Sequence, residues 1–170
     1  DMAAVGRVCR EHDALFLVDG VQSVGVLKTD VAAEYIDAMA VSTQKGLLGL
    51  YGMGFLYCGN DWANRLTPAY LARFGVDFGE GAHEAALGGD DWKLMPVARR
   101  FDLGNYNFIA AAAVRPPLTL MLDIGPDQIE ARVVSLANRL AGGFLNIGLP
   151  VCGGEPGPHL AGLVAVGEIG

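Results

Sequence analysis

An aspartate and a lysine, each following a short apolar run, are the residues best suited to chemistry. Asp19 ends the run "LFLVD", and Lys45 comes soon after the run "DAMAVS". In parallel sheets ligands bind beyond the carboxyl ends of the strands, so residues at two such ends can face one ligand. A lysine there can form a Schiff base with an aldehyde cofactor, and a carboxylate can keep a pyridinium nitrogen protonated. The small hydroxyl and amide groups before the lysine can bind a phosphate.

Each of these residues also has an ordinary structural explanation. An aspartate after a strand is often only the N-cap of a helix, here for "GVQSVG". A lysine after a strand is usually solvated, and Ser42 and Thr43 are common turn formers. The residue pattern alone therefore leaves the chemical and the structural explanations open.

The predicted elements around both residues alternate between helix and strand, which is typical of an α/β layered sheet. Residues 2–12 place apolar side chains at helical spacing, and "ALFLVD", "DAMAVS" and "GFLYC" are predicted strands. Because the strands are continuously apolar, we expect helices to cover both faces of the sheet. Between the first two strands, "TDVAAEYID" predicts a short helix capped by Thr29 or Asp30.

The second half of the chain predicts a long irregular segment followed by helices. Residues 59–103 are frequently glycine or charged, and we expect little regular structure there. A helix is predicted from Asn107, with Pro116 and Pro117 kinking or breaking it.

The clearest helical pattern begins near Pro126, a residue that suits a first helical turn. Gly142 and Gly143 are predicted to end this helix. Its predicted apolar stripe consists of Ile129, Val133, Leu136, Leu140 and Phe144.

Composition and charge argue against several classes of function. The chain carries 12 Lys and Arg against 19 Asp and Glu, a net charge of −7, and such an acidic chain is not expected to bind nucleic acid. No membrane segment and no Cys/His cluster with the spacing of a metal site is predicted. The cysteines are Cys9, Cys58 and Cys152, and their odd number and wide separation predict a reduced, cytoplasmic protein with Cys9 and Cys58 in its core.

Both ends of the sequence look cut. The chain begins at Asp1, where a helical pattern is already under way, and stops at Gly170 just after "LAGLVAVG". We therefore interpret it as part of a longer chain, and we expect the isolated residues to be inactive and poorly folded.

Several segments, in order and in register, carry a resemblance to a known family. They are "VDGVQSVG", then "VSTQKGLLGLYGMGFLY" with its lysine 26 positions after the aspartate, then "ARRFDLGNYN" and "HLAGLVAVG". Over nearly its whole length the sequence resembles the class V aminotransferases, a group of pyridoxal 5'-phosphate (PLP) enzymes that includes the cysteine desulfurases. The resemblance implies an α/β fragment of the PLP-dependent transferase fold, with a mostly parallel sheet between helices and an antiparallel "GFLYC" strand. Residues 1–125 would be the C-terminal part of the large PLP-binding domain, and residues 126–170 the beginning of the small C-terminal domain.

Carried over residue by residue, the resemblance implies a role for each matching position. Lys45 would form the Schiff base with PLP and would then move the proton at the substrate α-carbon. Asp19 would pair with the pyridinium nitrogen, and Gln22 would bond the phenolic oxygen of the ring. Ser42 and Gln44 would bind the phosphate.

The resemblance also implies a partner and a substrate class. Asn105 would reach the phosphate bound to the partner subunit, which implies a homodimer with shared active sites. The substrate would be an amino acid. The ring-stacking residue, the arginine for the substrate carboxylate and any catalytic cysteine would lie outside residues 1–170, and Cys152 does not match that cysteine.

The reaction is left open between branches of the family. Gln22 and the glycine-rich turn after Lys45 are typical of cysteine desulfurases and related lyases. Gln44 stands where those enzymes usually have histidine and resembles the alanine–glyoxylate-type aminotransferases. Transamination and desulfurase or lyase chemistry both remain, and an amino-acid epimerase is a further alternative among enzymes.

A different class of function is a non-catalytic structural relative of the PLP fold. A degenerate relative is expected to lose the lysine first, and Lys45 and Asp19 are both present. A nucleotide-binding protein is disfavoured, because no GxGxxG follows a strand and no glycine-rich loop ends in Lys-Ser/Thr. The sequence therefore favours an enzyme.

Overall fold

Three short apolar runs form the sheet that the predicted site depends on. In the computed structural model, which describes residues 1–79 and 92–167, the strands are β1 (Leu17–Asp19), β2 (Ala38–Ser42) and β3 (Gly54–Cys58). Their order in the sheet is β1-β2-β3. The three predicted strands are confirmed, and together with the helices they give an α/β chain.

β1 is shorter than the run "ALFLVD" because the N–H of the residue before it bonds to a side chain. The Phe16 N–H donates to a carboxylate oxygen of Asp37 at 2.9 Å. The Phe16 carbonyl accepts from the backbone N–H groups of Asp37 at 3.1 Å and of Ala38 at 3.2 Å. The side chain of Asp37 thus fixes the residue at which the strand can begin, a contact that an apolar pattern does not reveal.

Helices account for most of the remaining regular structure. Those in the described residues are α1 (Met2–Glu11), α2 (Asn60–Arg65), α3 (Phe108–Ile124) and α4 (Pro126–Asn146). α1 confirms the helix predicted at the start of the chain. Its N-cap is Asp1, whose carboxylate accepts the Ala4 N–H at 3.0 Å and so satisfies one of the free donors of the first turn.

The segment between β1 and β2 is not the helix that was predicted from "TDVAAEYID". Residues 31–35 form turns, with the Ile36 N–H donating to the Val31 carbonyl at 2.9 Å. Tyr35 has a φ of 56°, in the left-handed region. A residue in the left-handed region cannot continue a right-handed helix, so the turns of residues 31–35 do not continue as a helix. The prediction failed because the residue type of Tyr35 does not specify this backbone angle.

α3 runs as one helix through Pro116 and Pro117, so the prediction that they break it is wrong, and the alternative that they kink it stays a prediction. Each proline lacks an N–H and therefore removes one helical hydrogen bond. Because the two prolines are adjacent, the lost bonds fall within one turn, and the helix on either side continues. The Thr119 hydroxyl donates to the Arg115 carbonyl at 3.1 Å, just beyond the prolines.

α4 starts as predicted but extends past Gly142 and Gly143 to Asn146. The two glycines lie inside the helix and do not end it. The left-handed residue that follows the helix is Gly148, with a φ of 78°. The stop signal was therefore assigned to the wrong glycines, because only their backbone angles distinguish them from Gly148.

The apolar stripe predicted on α4 is confirmed only in part: Phe144 packs against the buried cluster and Ile129 and Val133 are half-buried, but the two leucines between them are exposed. Leu136 and Leu140 are 40% and 50% exposed, whereas Ala137 and Ala141 are 6% and 0% exposed. The buried cluster around this helix consists of Ala137, Ala141, Val151 and Leu160. The leucine pair and the alanine pair have the same spacing, so periodicity alone does not show which pair is buried. Val151 and Leu160 pack against the helix on the side of the smaller alanine side chains.

α3 and α4 meet at Gly125, whose φ of 94° lies in the region that favours glycine. The domain boundary predicted near this residue stays a prediction.

Within the described residues no single helix is long and apolar enough to cross a membrane, and α3 and α4 pass that test only as a pair bent by 87°.

The segment predicted to be irregular, residues 59–103, contains short elements and the prediction is in part wrong. Besides α2 it includes single 3₁₀ turns and two short strands, β4 (Val76–Asp77) and β5 (Lys93–Leu94), which pair antiparallel. Elements of two to six residues carry too few positions for periodicity to detect. Residues 80–91 of the predicted segment lie outside the described residues.

The described chain divides into two units. The first consists of residues 1–18, 31–40 and 55–107, and the second of residues 19–30, 41–54 and 108–170. The core of the first is formed by Ala38, Cys58 and Ala63, with Trp62 and Phe101 packed against them. The core of the second includes the cluster around α4.

The side chains of β3 are only partly covered. Phe55 and Leu56 are each 46% exposed, and Tyr57 is 37% exposed. The expectation that helices cover both faces of every strand is therefore wrong for this strand within the described residues. β3 stands last in the strand order, and an outer strand has a neighbour on one side only.

The fully buried methyl group of Ala141 gives a test of the α4 packing. Ala141→Leu forces extra atoms into a filled space and is expected to lower the free energy of unfolding by about 1–3 kcal/mol. Ala131→Leu, at an exposed position of the same helix, is the control and should change it by less than about 0.5 kcal/mol. Urea unfolding of the intact protein that contains these residues measures both. Equal effects of the two substitutions would contradict the assigned face.

Candidate functional site

The loop that carries Lys45 is closed at its base by a buried threonine. Thr43 is 1% exposed, and its hydroxyl lies within hydrogen-bond distance of the carbonyls of Leu50, at 3.2 Å, and Met53, at 3.1 Å. Its N–H also donates to the Met53 carbonyl at 3.1 Å, and its carbonyl accepts the Gly49 N–H at 2.7 Å. One residue thus holds the far end of the loop to the end of β2. Lys45 projects from this closed loop and is exposed.

Sequence reasoning treated Thr43 as an ordinary turn former and missed this role. The sequence offered one indication of this role, which is that Thr43 directly follows the apolar run of β2 and can therefore be buried. A single sequence does not reveal which distant carbonyls a hydroxyl will meet, and those contacts are what distinguish Thr43 from a solvated turn residue.

Asp19 is held in a tight turn and caps no helix. Its carboxylate accepts the Val21 N–H at 3.0 Å, an arrangement in which the side chain imitates a backbone turn. The Gly20 carbonyl accepts the N–H groups of Ser23 at 3.2 Å and of Val24 at 3.0 Å. Residues 21–27 form turns and one isolated bridge, so the helix that Asp19 was alternatively expected to cap is not formed. Among the described residues, no hydrogen bond to the second carboxylate oxygen of Asp19 is seen.

The turn after Asp19 and the loop of Lys45 belong to the same unit and touch through backbone. A Cβ atom placed on Gly25 would lie 2.4 Å from the Gly46 carbonyl oxygen. A Cβ atom placed on Gly46 would lie 2.2 Å from the Val24 carbonyl oxygen. The structure therefore brings together the two segments that the sequence singled out, with Gly46 directly following Lys45.

The remaining predicted site residues fall into two groups. Ser42 and Gln44 are half-buried and adjoin each other, because the Ser42 hydroxyl donates to the side-chain carbonyl of Gln44. Gln22 is exposed in the turn after Asp19. Asn105 is exposed and belongs to the first unit, whereas the others belong to the second.

Neither charge of the predicted pair is neutralised locally. Within residues 1–79 and 92–167, Asp19 and Lys45 take no part in an ion pair. Lys28 and Arg65, by contrast, are paired with Asp127 at 2.7 Å and with Asp13 at 2.8 Å. An exposed amine without a charged partner remains available to a ligand.

The three cysteines, Cys9, Cys58 and Cys152, form no disulfide. Burial, and then the nearby Asp37 carboxylate, raise the pKa of Cys58, which disfavours the thiolate. Cys152 donates its S–H to the Gly167 carbonyl at 3.3 Å. Cys58 is buried as predicted, whereas Cys9 is only partly buried, so its assignment to the core is wrong. Among the described residues no group of His, Cys, Asp and Glu could hold a metal ion.

Comparison with known proteins identifies the family. The family model described as Aminotransferase class-V matches residues 1–167. The chain belongs to the class-V aminotransferase family. An uncharacterized aminotransferase of Bacillus subtilis, YcbU, is 33% identical over 137 residues, which are 80% of this chain and 34% of that protein. The first curated relatives are 34%, 37% and 39% covered, so the chain spans little more than a third of their length.

Solved structures confirm the predicted fold. The apo structure of a cysteine desulfurase from Thermococcus onnurineus NA1 matches with a TM-score of 0.81 at 23% identity, over all of this chain and 40% of that one. C-DES with glycine linked covalently to its PLP cofactor matches with a TM-score of 0.80 at 22% identity, over 97% of this chain and 42% of that one. The class-V fold of this chain is thus shared with proteins that differ from it at most positions.

The buried hydroxyl of Thr43 can be tested by Thr43→Val. The valine keeps the shape of the side chain but leaves the Leu50 carbonyl without its hydroxyl partner and the Met53 carbonyl with only the N–H of residue 43, so the free energy of unfolding is expected to fall by about 1–2 kcal/mol. Thr119→Val removes a hydroxyl bonded to a carbonyl at the exposed surface of α3 and is the control. Thermal unfolding and hydrogen exchange of residues 43–53 are the measurements. Faster exchange in this loop for Thr43→Val alone is expected, and equal exchange in both variants would contradict the anchoring role.

Proposed function

We propose that the protein containing this chain is a PLP-dependent enzyme that acts on an amino acid through a Schiff base at Lys45. The observation that carries the proposal is the exposed, ion-pair-free amine of Lys45 on a loop closed by Thr43 and packed against the turn of Asp19. Family membership supports the cofactor, and the related structure of C-DES contains PLP.

The residues present fit the functional groups of PLP. The Lys45 amine suits the aldehyde, and the Asp19 carboxylate, held by the Val21 N–H on one oxygen, presents its other oxygen for the ring nitrogen. The Gln22 amide would bond the phenolic oxygen. Ser42 and Gln44 would hold the phosphate, with the Ser42 hydroxyl turning from the Gln44 side chain toward the anion.

When bound, PLP supplies an aldehyde for the substrate amine and a ring that withdraws electrons from the α-carbon. Asp19 keeps a proton on the ring nitrogen by placing a negative charge beside it. Lys45, freed when the substrate amine takes its place on the aldehyde, would take the proton from the substrate α-carbon and hold it for delivery.

Two reactions within the family remain candidates for this site. In transamination Lys45 would move the α-proton, a keto acid would be released, and the amino group would stay with the cofactor for transfer to a second keto acid. In desulfurase or lyase chemistry, a cysteine thiolate takes sulfur from the substrate or the sulfur leaves directly. The thiol of Cys152, which is bonded to a carbonyl, and the buried thiol of Cys58 do not suit the role of that sulfur-accepting thiolate. Gln22 favours the desulfurase branch and Gln44 the aminotransferase branch.

A homodimer in the cytoplasm completes the proposal. Asn105 is exposed and would reach the phosphate held by the partner subunit. The site would then need residues from both subunits. Dilution of the protein to the monomer, followed by light scattering and absorbance, would test whether cofactor retention depends on the dimer.

The first experiment traps the cofactor. The intact protein is incubated with PLP, reduced with borohydride, digested and analysed by mass spectrometry, and we expect a pyridoxyl group on Lys45. Lys45→Ala should abolish the adduct. Lys93→Ala, at another exposed lysine, should leave it unchanged. If the protein binds no PLP and Lys45 is unmodified, the enzyme proposal is wrong and the protein is a non-catalytic relative of the fold. If the adduct forms, the products released from a panel of amino acids (keto acid, alanine or sulfide) identify the reaction.

Asp19→Asn tests the carboxylate separately. An amide does not hold a proton on the ring nitrogen, so exchange of the substrate α-proton with deuterated water should slow by about a hundredfold. The borohydride adduct at Lys45 should still form. Asp123→Asn, at an exposed position of α3, is the matched control. Nuclear magnetic resonance measures the exchange, and an unchanged rate in Asp19→Asn would remove this residue from the site.

A further inference from the structure

Gly46 follows the proposed Schiff-base lysine and lies against a neighbouring backbone. A Cβ atom at this position would be 2.2 Å from the Val24 carbonyl oxygen and 3.0 Å from a methyl group of Val26. Contacts below about 3 Å do not occur between such atoms, so any side chain at position 46 must displace the chain. The obstacle is mainly backbone, which cannot move aside as the tip of a flexible side chain can.

The two glycines of this contact are required for different reasons. Gly25 has a φ of 85°, a conformation that disfavours any other residue. Gly46 is not among the residues of positive φ. Its backbone conformation therefore suits other residues, and only the absence of a Cβ atom is needed. A substitution at Gly46 consequently tests space alone.

The contact fixes the second side of the Lys45 loop. Thr43 holds the loop before the lysine, and Leu47, which is 4% exposed, is buried directly after Gly46. The Leu48 N–H donates to the Lys45 carbonyl at 2.9 Å. Lys45 is thus the exposed residue between two fixed points.

The opposing turn is itself rigidly bonded. The Ser23 carbonyl accepts the N–H groups of Val26 at 2.9 Å and of Leu27 at 2.8 Å. The same turn begins at Asp19, whose carboxylate is fixed by its own backbone bond. Displacement of Gly46 from Val24 therefore moves Lys45 relative to Asp19.

We infer that Gly46 is a positioning residue, whose bare Cα sets the separation between the Lys45 amine and the turn of Asp19. The inference rests on the proposed function, because it assigns a purpose to that separation. The amine and the carboxylate would have to meet opposite parts of one rigid ring, and a displacement of about 1 Å can cost a hundredfold in such a geometry.

Gly46→Ala tests the inference against a matched control. Gly6→Ala introduces an equally tight contact, since a Cβ atom there would lie 2.3 Å from the Glu34 carbonyl oxygen, but in the first unit. Both variants are expected to lower the melting temperature of the intact protein. Only Gly46→Ala is expected to weaken PLP binding, by about ten- to a hundredfold, and to shift the pH midpoint of the visible absorbance of the bound cofactor without substrate.

Val26→Ala keeps the inference testable if Gly46→Ala does not fold. It deletes both γ-methyl groups of Val26, one of which faces Gly46 and the other Gly162, and it adds no clash. Loosening of the contact should shift the absorbance midpoint in the same direction and weaken PLP binding by a smaller factor, about two- to fivefold.

The outcomes separate the inference from the proposed function. Wild-type protein that forms no borohydride adduct at Lys45 would overturn both. An adduct in the wild type, with Gly46→Ala indistinguishable from Gly6→Ala in PLP affinity and absorbance midpoint, would overturn the positioning role alone. If Gly46→Ala is insoluble, an unchanged affinity and midpoint in Val26→Ala would overturn it equally. A change confined to Gly46→Ala and Val26→Ala supports it.

Discussion

Closure of the Lys45 loop by Thr43 is the constraint on which the rest of the candidate site depends. A loop between two strands gains no fixed shape from its own residues, because each exposed residue retains much of its conformational freedom. Thr43 removes that freedom by bonding through its side chain and both backbone groups to residues six to ten positions further along. The tip is then short enough for the burial of Leu47 and the contact of Gly46 to orient a single exposed lysine.

Predictions from the sequence succeeded where one type of residue dominates a local pattern. The apolar runs gave β3 at its observed bounds and β2 to within one residue, and Pro126 gave the start of α4. They failed where long-range packing chose between equal local patterns. Leu136 and Ala137 begin stripes of identical spacing, and only the approach of Val151 and Leu160 determines which one is buried.

The candidate site shows the same limit. Asp19 and Lys45 could be chosen from the sequence, because few residues in it offer a carboxylate or an amine at the end of an apolar run. Thr43, which closes the Lys45 loop, and Gly46, which we infer sets the distance of that loop from the Asp19 turn, are chemically plain and become informative only through the distances to their neighbours. Family membership supplied the cofactor for this chain, whereas Gln22 and Gln44 point to different branches. The reaction therefore depends on groups that a fold alone does not specify.

The contact of Gly25 with Gly46 also has a consequence for how this sequence can diverge. A Cβ atom at either glycine would clash with the backbone of the other segment. A single substitution at either position would therefore move the Asp19 turn relative to the Lys45 loop. Gly104 and Gly143, by contrast, have open space where a Cβ atom would be. Among descendants of this sequence, alanine or serine should accumulate at those open glycines long before it is tolerated at position 25 or 46.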